Sequence, residues 1–197
     1  MKQGWLILWV IGMMGGWAMA DTEKSRKDVE TATFGGGCFW CVEAVFEGVE
    51  GVLSVVSGYE GGDQPQPTYE QVSSGRSGHA EVVRIEFDPH QVSYDRLLDL
   101  FWEAHDPTQV NRQGADVGTQ YRSVIFYMTE DQRLQAEAAK AKLGASGKYD
   151  KPIATQIVPS TGFYPAEPYH QDYFRNHPRA PYSMFVIQPK LKKLGRK

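Results

Sequence analysis

Thr31-Ala32-Thr33-Phe34-Gly35-Gly36-Gly37-Cys38-Phe39-Trp40-Cys41-Val42-Glu43-Ala44-Val45-Phe46 is the stretch that decides the fold. Its first four residues read as a short strand, the glycines end that strand, and from about Cys38 apolar residues recur at helical spacing to Phe46. Further along, Val52 to Tyr59 reads as a second strand, and His79 to Phe87 as a third that Asp88-Pro89 stops. Ser93 is placed to cap a helix from Tyr94 to about His105, with Leu97, Leu98 and Phe101 on one face. Thr119 to Met128 predicts a fourth strand. Thr129-Glu130-Asp131-Gln132 has the form of a capping box for a helix that runs to about Leu143 and stops at Gly144, and Ile153 to Val158 is a last strand. The order β-α-β-β-α-β predicts a two-layer α/β (α+β) domain on the split βαβ, ferredoxin-like plan, with an added helix and strand. Pro159, Pro165, Pro168, Pro178, Pro181 and Pro189 predict an irregular C-terminal coil around one short helix near Tyr169 to Asn176.

Ahead of that stretch, Met1 to Ala20 carries one lysine, no acid and an apolar run from Trp5 to Trp17, closed by Ala18-Met19-Ala20. This is the pattern of a secretory signal, with cleavage expected after Ala20 and residence in the bacterial periplasm. Gly12, Gly15 and Gly16 interrupt the run, which falls short of the ~20 apolar residues that span a bilayer. No cysteine follows the cleavage site, which argues against a lipid anchor. Residues 21–30 are polar and read as a loose mature N-terminus, leaving 31–197 as one domain without repeats or linkers, expected to act as a monomer. The net charge of −3 and the lack of a basic cluster outside Lys190 to Lys197 argue against nucleic acid as a partner.

The chain has two cysteines, Cys38 and Cys41. Two thiols cannot frame a disulfide scaffold, and a chain of this length needs none, so the pair calls for a chemical explanation. Cys38 falls where a strand becomes a helix, where unpaired backbone N–H groups and the helix dipole favour a thiolate. The preceding glycines would let another molecule approach and leave one side of the sulfur open. Cys41 lies on the same helix face, with Cβ atoms roughly 5–6 Å from those of Cys38, close enough for a disulfide with slight fraying of the first turn. On the third strand a period of two puts Glu81 on one face with Val83, Ile85 and Phe87. An acid ending an apolar row faces inward with a raised pKa, or emerges at the sheet edge to pair with Arg84 or Arg122; the residues alone leave both open. The scattered histidines have no zinc-ligand spacing, and the three glycines lack the Lys-Ser/Thr ending of a phosphate loop.

Gly37-Cys38-Phe39-Trp40, Gly58-Tyr59-x-Gly61-Gly62, Pro67-Thr68-Tyr69, Gly78-His79-Ala80-Glu81, His105-Asp106-Pro107 and Gly118-Thr119-Gln120-Tyr121-Arg122-Ser123, in that order, resemble the peptide methionine sulfoxide reductase A family. The resemblance covers roughly Phe34 to Phe174. It implies reduction of methionine S-sulfoxide, in proteins and as the free amino acid. Cys38 would attack the sulfoxide sulfur and Glu81 protonate its oxygen. Tyr69 and Tyr121 would hold that oxygen, Phe39 and Trp40 would wall the S-methyl group, and Asp116 would assist substrate or thiol. It also implies a sulfenic acid on Cys38 and recycling by thioredoxin or a thioredoxin-like protein, with no bound cofactor. Many relatives carry Gly or Ser after the tryptophan and a recycling cysteine near the C-terminus. This C-terminus has none, which makes Cys41 the candidate resolver. His170 also matches a family histidine near the site, although for it and His105 a surface position is the default expectation.

Three other readings compete. Cys-x-x-Cys at a helix start is also the thioredoxin arrangement, so a thiol-disulfide oxidoreductase is one. A Cys–His hydrolase with His170 as base is another, but it leaves Glu81 idle. A non-enzymatic module with a structural Cys38–Cys41 bond is the third.

Overall fold

The computed structural model describes residues 29–196; the expected signal, Met1 to Ala20, and residues 21–28 lie outside them. The first strand, β1 (Glu30–Gly36), starts one residue earlier than expected, so Glu30 belongs to the sheet, and it continues through two of the glycines. Helix α1 (Phe39–Phe46) follows, with Cys38 as the residue before its first turn. Then come β2 (Val52–Glu60), a short α2 (Tyr69–Ser73), β3 (Ala80–Phe87) and α3 (Tyr94–Ala104). A small hairpin of β4 (Arg112–Gln113) and β5 (Asp116–Val117) precedes β6 (Ser123–Tyr127), α4 (Glu130–Ala145) and β7 (Gln156–Pro159). The chain ends with β8 (Tyr164–Pro165), α5 (Tyr173–Asn176) and α6 (Gln188–Lys193).

The large sheet has the order β7-β6-β1-β3-β2-β8. Its centre, β6-β1-β3-β2, is antiparallel throughout and is the split βαβ plan read from the sequence. The added helix α4 crosses to β7, which pairs parallel to β6, and β8 extends the opposite edge against β2. Among the described residues no helix is long and apolar enough to cross a membrane.

The core explains the central strands. Phe34 of β1 packs against Phe46, Tyr94 and Phe101 with ring centroids 5.7, 5.9 and 5.0 Å apart, joining α1 and α3 over the sheet. A fully buried ring of this kind contributes ~1.5–3 kcal/mol. Val83, Ile85 and Phe87 point into the same cluster, whereas Ala80 and Val82 join Val124 and Phe126 on the other face, as the period of two requires.

Several boundaries differ from the sequence reading, each for a physical reason. Thr119–Tyr121 is a 3-10 turn rather than strand, because Thr119, Gln120 and Arg122 are committed to carbonyls of the 73–78 loop: to Gly75, Ser73 and Gly78 respectively. β7 begins at Gln156, since the backbone before it is engaged elsewhere: Ala154 N–H donates to Pro107 and the Thr155 carbonyl accepts from Lys140. Gly144 stays helical, and Gly147, at φ +71°, makes the turn after α4. The Thr129 box has one limb only: Thr129 caps the Gln132 amide, but the Gln132 side chain bonds Met128 N–H and the Thr31 carbonyl. The complete reciprocal box is at Thr68 and Gln71. The expected helix at 169–176 is split into a 3-10 turn (Pro168–His170) and α5 by Asp172 in a left-handed conformation, φ +52°. Beyond it, Ser183–Ile187 forms a π turn that leads into α6, where coil was expected.

Candidate active site

Cys38 stands at the end of the central strand, with β3 on one side and β6 on the other. Gly35 is needed there because a Cβ would lie 2.9 Å from the Glu81 carbonyl and from Val124. Gly37 takes φ +99°, which turns the chain from strand to helix, and its α-carbon is covered by Gln113, 2.7 Å from where a Cβ would be. The opening expected beside the glycines is thus filled by the chain itself. Gln113 is in turn fixed to the backbone of Asp106, donating to its carbonyl and accepting from its N–H.

Glu81 is buried on the face of β3 that looks toward α1. Its carboxylate accepts from the Phe39 N–H at 3.0 Å, one of the free donors of the helix start. Neither arginine pairs with it: Arg84 lies over the Phe163 ring, and Arg122 donates to carbonyls. Burial, reinforced by Asp116, pushes the Glu81 pKa up to about 8, so at neutral pH it carries a proton. The inward alternative is therefore the one realised.

The Cys38 sulfur departs from the sequence expectation. The helix start was expected to favour a thiolate, but Cys38 is only 8% exposed, and burial followed by the neighbouring Glu81 pushes its thiol well above the ordinary value. The resting form is the thiol, with the Glu81 carboxyl opposing its ionisation and the Tyr182 hydroxyl favouring it. Cys41 is buried one turn on, its amide bonded to the Cys38 carbonyl at 3.0 Å, and both cysteines are free thiols. Burial raises the Cys41 pKa as well, opposed by Lys190 and Tyr182.

Tyr69 and Tyr121 are half-buried near Glu81 and Cys38, brought together by the loop-to-loop bonds that hold 118–123 on 73–78. Both phenols are raised by burial and then by Glu81, with Cys38 and Asp116 also acting on each. Among the described residues neither hydroxyl has a protein partner, so both donors are available to a ligand. Phe39 is buried beneath the site and Trp40 is half-buried beside it. Trp40 is held on two sides: its indole N–H donates to His170 Nδ1 at 3.2 Å, and its ring stacks on Tyr173 at 3.6 Å and 7°. Asp116 accepts from the Tyr182 hydroxyl at 2.7 Å.

Both histidines correct the surface expectation. His170 is buried, packed between Phe39, Trp40 and Tyr69, and burial lowers its pKa. His105 is buried behind Gly36, bonded to the Phe101 carbonyl and to Ser123 Oγ at 2.7 Å each; its pKa falls to about 4, chiefly through burial. His105 supports the site from below and does not line it.

Two contributors were not visible in the sequence. Glu167 accepts from Tyr69 N–H and from the Tyr59 hydroxyl at 2.8 Å each, tying the C-terminal segment to the pocket rim. Tyr182 lies 3.6 Å from Cys41 Sγ and edge-on to Trp40. Nothing local distinguishes either; the only sequence signal was the proline-rich segment itself, too irregular to place. The arrangement as a whole offers a soft nucleophile, a neutral buried acid, two free phenols and an aromatic wall.

Residues 30–197 match the family described as Peptide methionine sulfoxide reductase. A peptide methionine sulfoxide reductase MsrA of Nautilia profundicola is 55% identical over 162 residues, 82% of this chain and 92% of that protein. One from Thermus thermophilus is 55% identical over 164 residues, 83% and 92% of the two chains. Among solved structures, methionine sulfoxide reductase A of Corynebacterium diphtheriae superposes with a TM-score of 0.69 at 38% identity, over 79% of each chain. Mxr1 from Saccharomyces cerevisiae in reduced form gives 0.73 at 32% identity, over 78% of this chain and 88% of that one. A structure of Mxr1 in complex with Trx2 also matches, at 0.54 and 22% identity over 75% and 86%. The chain belongs to the peptide methionine sulfoxide reductase family.

Proposed function

We propose that this chain reduces methionine S-sulfoxide to methionine, in oxidised proteins and as the free amino acid, with Cys38 as nucleophile and Glu81 as the acid. The observation that carries the reading is the Glu81 carboxyl, buried beside Cys38 and fixed by the Phe39 amide, where burial raises its pKa. A sulfoxide is reduced when its oxygen gains a proton and its sulfur meets a soft nucleophile. Tyr69 and Tyr121 donate to the sulfoxide oxygen, and Trp40 and Phe39 receive the methyl group. The Cys38 sulfur bonds to the substrate sulfur while Glu81 gives its proton to the oxygen and takes the one leaving Cys38. The hydroxyl then passes from the substrate sulfur to Cys38: the substrate S–O bond and the transient Cys38–substrate S–S bond break, a Cys38 S–O bond forms, methionine departs with an electron pair on its sulfur, and Cys38 is left as a sulfenic acid. Cys41 then displaces that oxygen as water and forms the Cys38–Cys41 disulfide.

A thioredoxin-like protein reopens the disulfide by thiol exchange. The Mxr1 structure with Trx2 supports this choice of reductant. The apolar leader at Met1 to Ala20 and its Ala18-Met19-Ala20 site support export to the periplasm, with the mature protein beginning at Asp21 and acting as a monomer. The test is an assay on the separated sulfoxide epimers with wild type and Cys38→Ser. Methionine from the S epimer, lost in the variant, is the expected result; activity on the R epimer alone, or turnover by Cys38→Ser, would overturn the reading.

A further inference from the structure

We infer that Tyr182 is the proton relay of the resolving step: its hydroxyl passes the Cys41 thiol proton to Asp116 as Cys41 attacks the Cys38 sulfenic acid. The inference rests on the reading of Cys41 as resolver, and it gives a role in the second half of the reaction to a hydroxyl that also acts on the Cys38 thiol, where it favours ionisation.

The geometry is directional. The Cys41 thiol donates to the Tyr182 oxygen at 3.6 Å, and the Tyr182 hydroxyl donates onward to Asp116 Oδ2 at 2.7 Å. Each hydrogen already points the way it must move, from sulfur to phenol to carboxylate. Cys41 needs such an exit because it is 3% exposed, and burial disfavours its thiolate. The groups that act on it are Lys190, which favours the thiolate, Asp116 and Glu81, which oppose it, and Tyr182. Burial raises the Tyr182 pKa, so its own proton leaves as the new one arrives and no phenolate is formed.

The step balances. The Cys41 S–H proton passes to the Tyr182 oxygen while the Tyr182 proton passes to Asp116. The Cys41 sulfur forms a bond to the Cys38 sulfur, and the Cys38 S–O bond breaks. The oxygen leaves as water with the proton of the Glu81 carboxyl, and the proton held by Asp116 returns to Glu81 through solvent. No outside oxidant enters: the sulfenic acid left by the sulfoxide is reduced as the Cys41 thiol is oxidised. Tyr182 is held at this point by the π turn at Ser183–Ile187, which begins immediately after it, a kind of irregularity that often marks functional positions.

The experiment is quenched-flow mass spectrometry of Tyr182→Phe after one addition of methionine sulfoxide without reductant, following methionine and disulfide separately from pH 6 to pH 9. The expected result is disulfide formation slowed tenfold or more relative to the methionine burst, with a sulfenic acid long-lived enough to be trapped by dimedone. Without the relay the Cys41 proton must leave to solvent, so the variant's resolving rate should climb with pH more steeply than that of wild type. Asp116→Asn, which removes the end of the relay, should slow the same step and covers the case of a Tyr182 variant that does not fold. Disulfide formation at the wild-type rate and pH dependence in both variants would overturn the inference. Absence of a Cys38–Cys41 disulfide in oxidised wild type would instead remove Cys41 as resolver, a different failure that the same spectra distinguish.

Discussion

The pocket has two halves built by different means. One is carried by the sheet and its first helix: Cys38 at the end of β1, Phe39 and Trp40 on α1, Glu81 on β3. The other is carried by the proline-rich C-terminal segment, which supplies Glu167, His170 and Tyr182. In the first half, position follows from strand pairing, and Glu81 is presented by the same alternation that buries Val83, Ile85 and Phe87. In the second, position follows from individual hydrogen bonds across long separations: Glu167 to Tyr69, Trp40 to His170, Cys41 to Tyr182. The difference teaches that the reacting atoms are set by regular structure, whereas their surroundings are set by contacts that no local pattern announces.

Breaking each half should have effects of different size. The largest belongs to the sheet-borne half. Glu81→Gln should slow the first chemical step by about a hundred- to ten-thousand-fold with little change in substrate affinity, since the amide keeps the shape and loses the proton. Single-turnover formation of methionine checks this. With its pKa at about 8, Glu81 is protonated below that pH and ionised above it, so kcat/KM should fall as pH rises through 8 in wild type. The same raised pKa sets a stability trend. The folded state holds a proton that the unfolded state releases near pH 4.5, so wild type loses stability between about pH 5 and 8, a loss that Glu81→Gln should not show in urea titrations.

Next comes the support beneath the sheet. His105 is neutral and buried, with its pKa lowered to about 4 against an ordinary 6.5. The unfolded chain takes up a proton there first, so as pH drops from about 6.5 to 4 the fold should lose on the order of 3 kcal/mol from this residue. His105→Gln should flatten that part of the acid-unfolding curve while lowering stability at pH 7.

Apart from Tyr182, whose part is in the resolving step, the coil-borne half should give smaller, binding-type effects. His170→Phe removes the acceptor of the Trp40 indole, a bond of the kind that contributes about 0.5–1.5 kcal/mol, so KM should rise by up to about tenfold with a smaller change in kcat. Glu167→Gln keeps the shape and weakens the charge-assisted bonds from Tyr69 N–H and the Tyr59 hydroxyl. A change of a few-fold in KM is expected. An effect on the first chemical step as large as that of Glu81→Gln would erase the distinction between the two halves.

How far the sequence could be read follows the same division. The antiparallel centre of the sheet was legible because β3 alternates, the other apolar runs have strand length and end in turn signals, and α3 carries an apolar face. The inward aim of Glu81 was legible as a phase, but its burial and its amide partner needed the structure. The cysteine pair was legible as chemistry, while the thiolate expected at the helix start was not realised, because burial outweighs the helix end at this depth. Tyr182 could not be singled out among the chain's ten tyrosines, since its neighbours in space are 66 and 141 residues away. His170 had a match in sequence but no visible reason to be buried; that reason is the stack of Trp40 on Tyr173, which closes the segment over it.

The most direct test of the account is a single addition of excess methionine S-sulfoxide to the fully reduced enzyme with no reductant present, read by mass spectrometry of both substrate and protein. The account predicts about one methionine per chain, with protein about two mass units lighter through a Cys38–Cys41 disulfide, and no methionine from Cys38→Ser. Methionine formed by Cys38→Ser, or by wild type with both thiols still reduced, would contradict it.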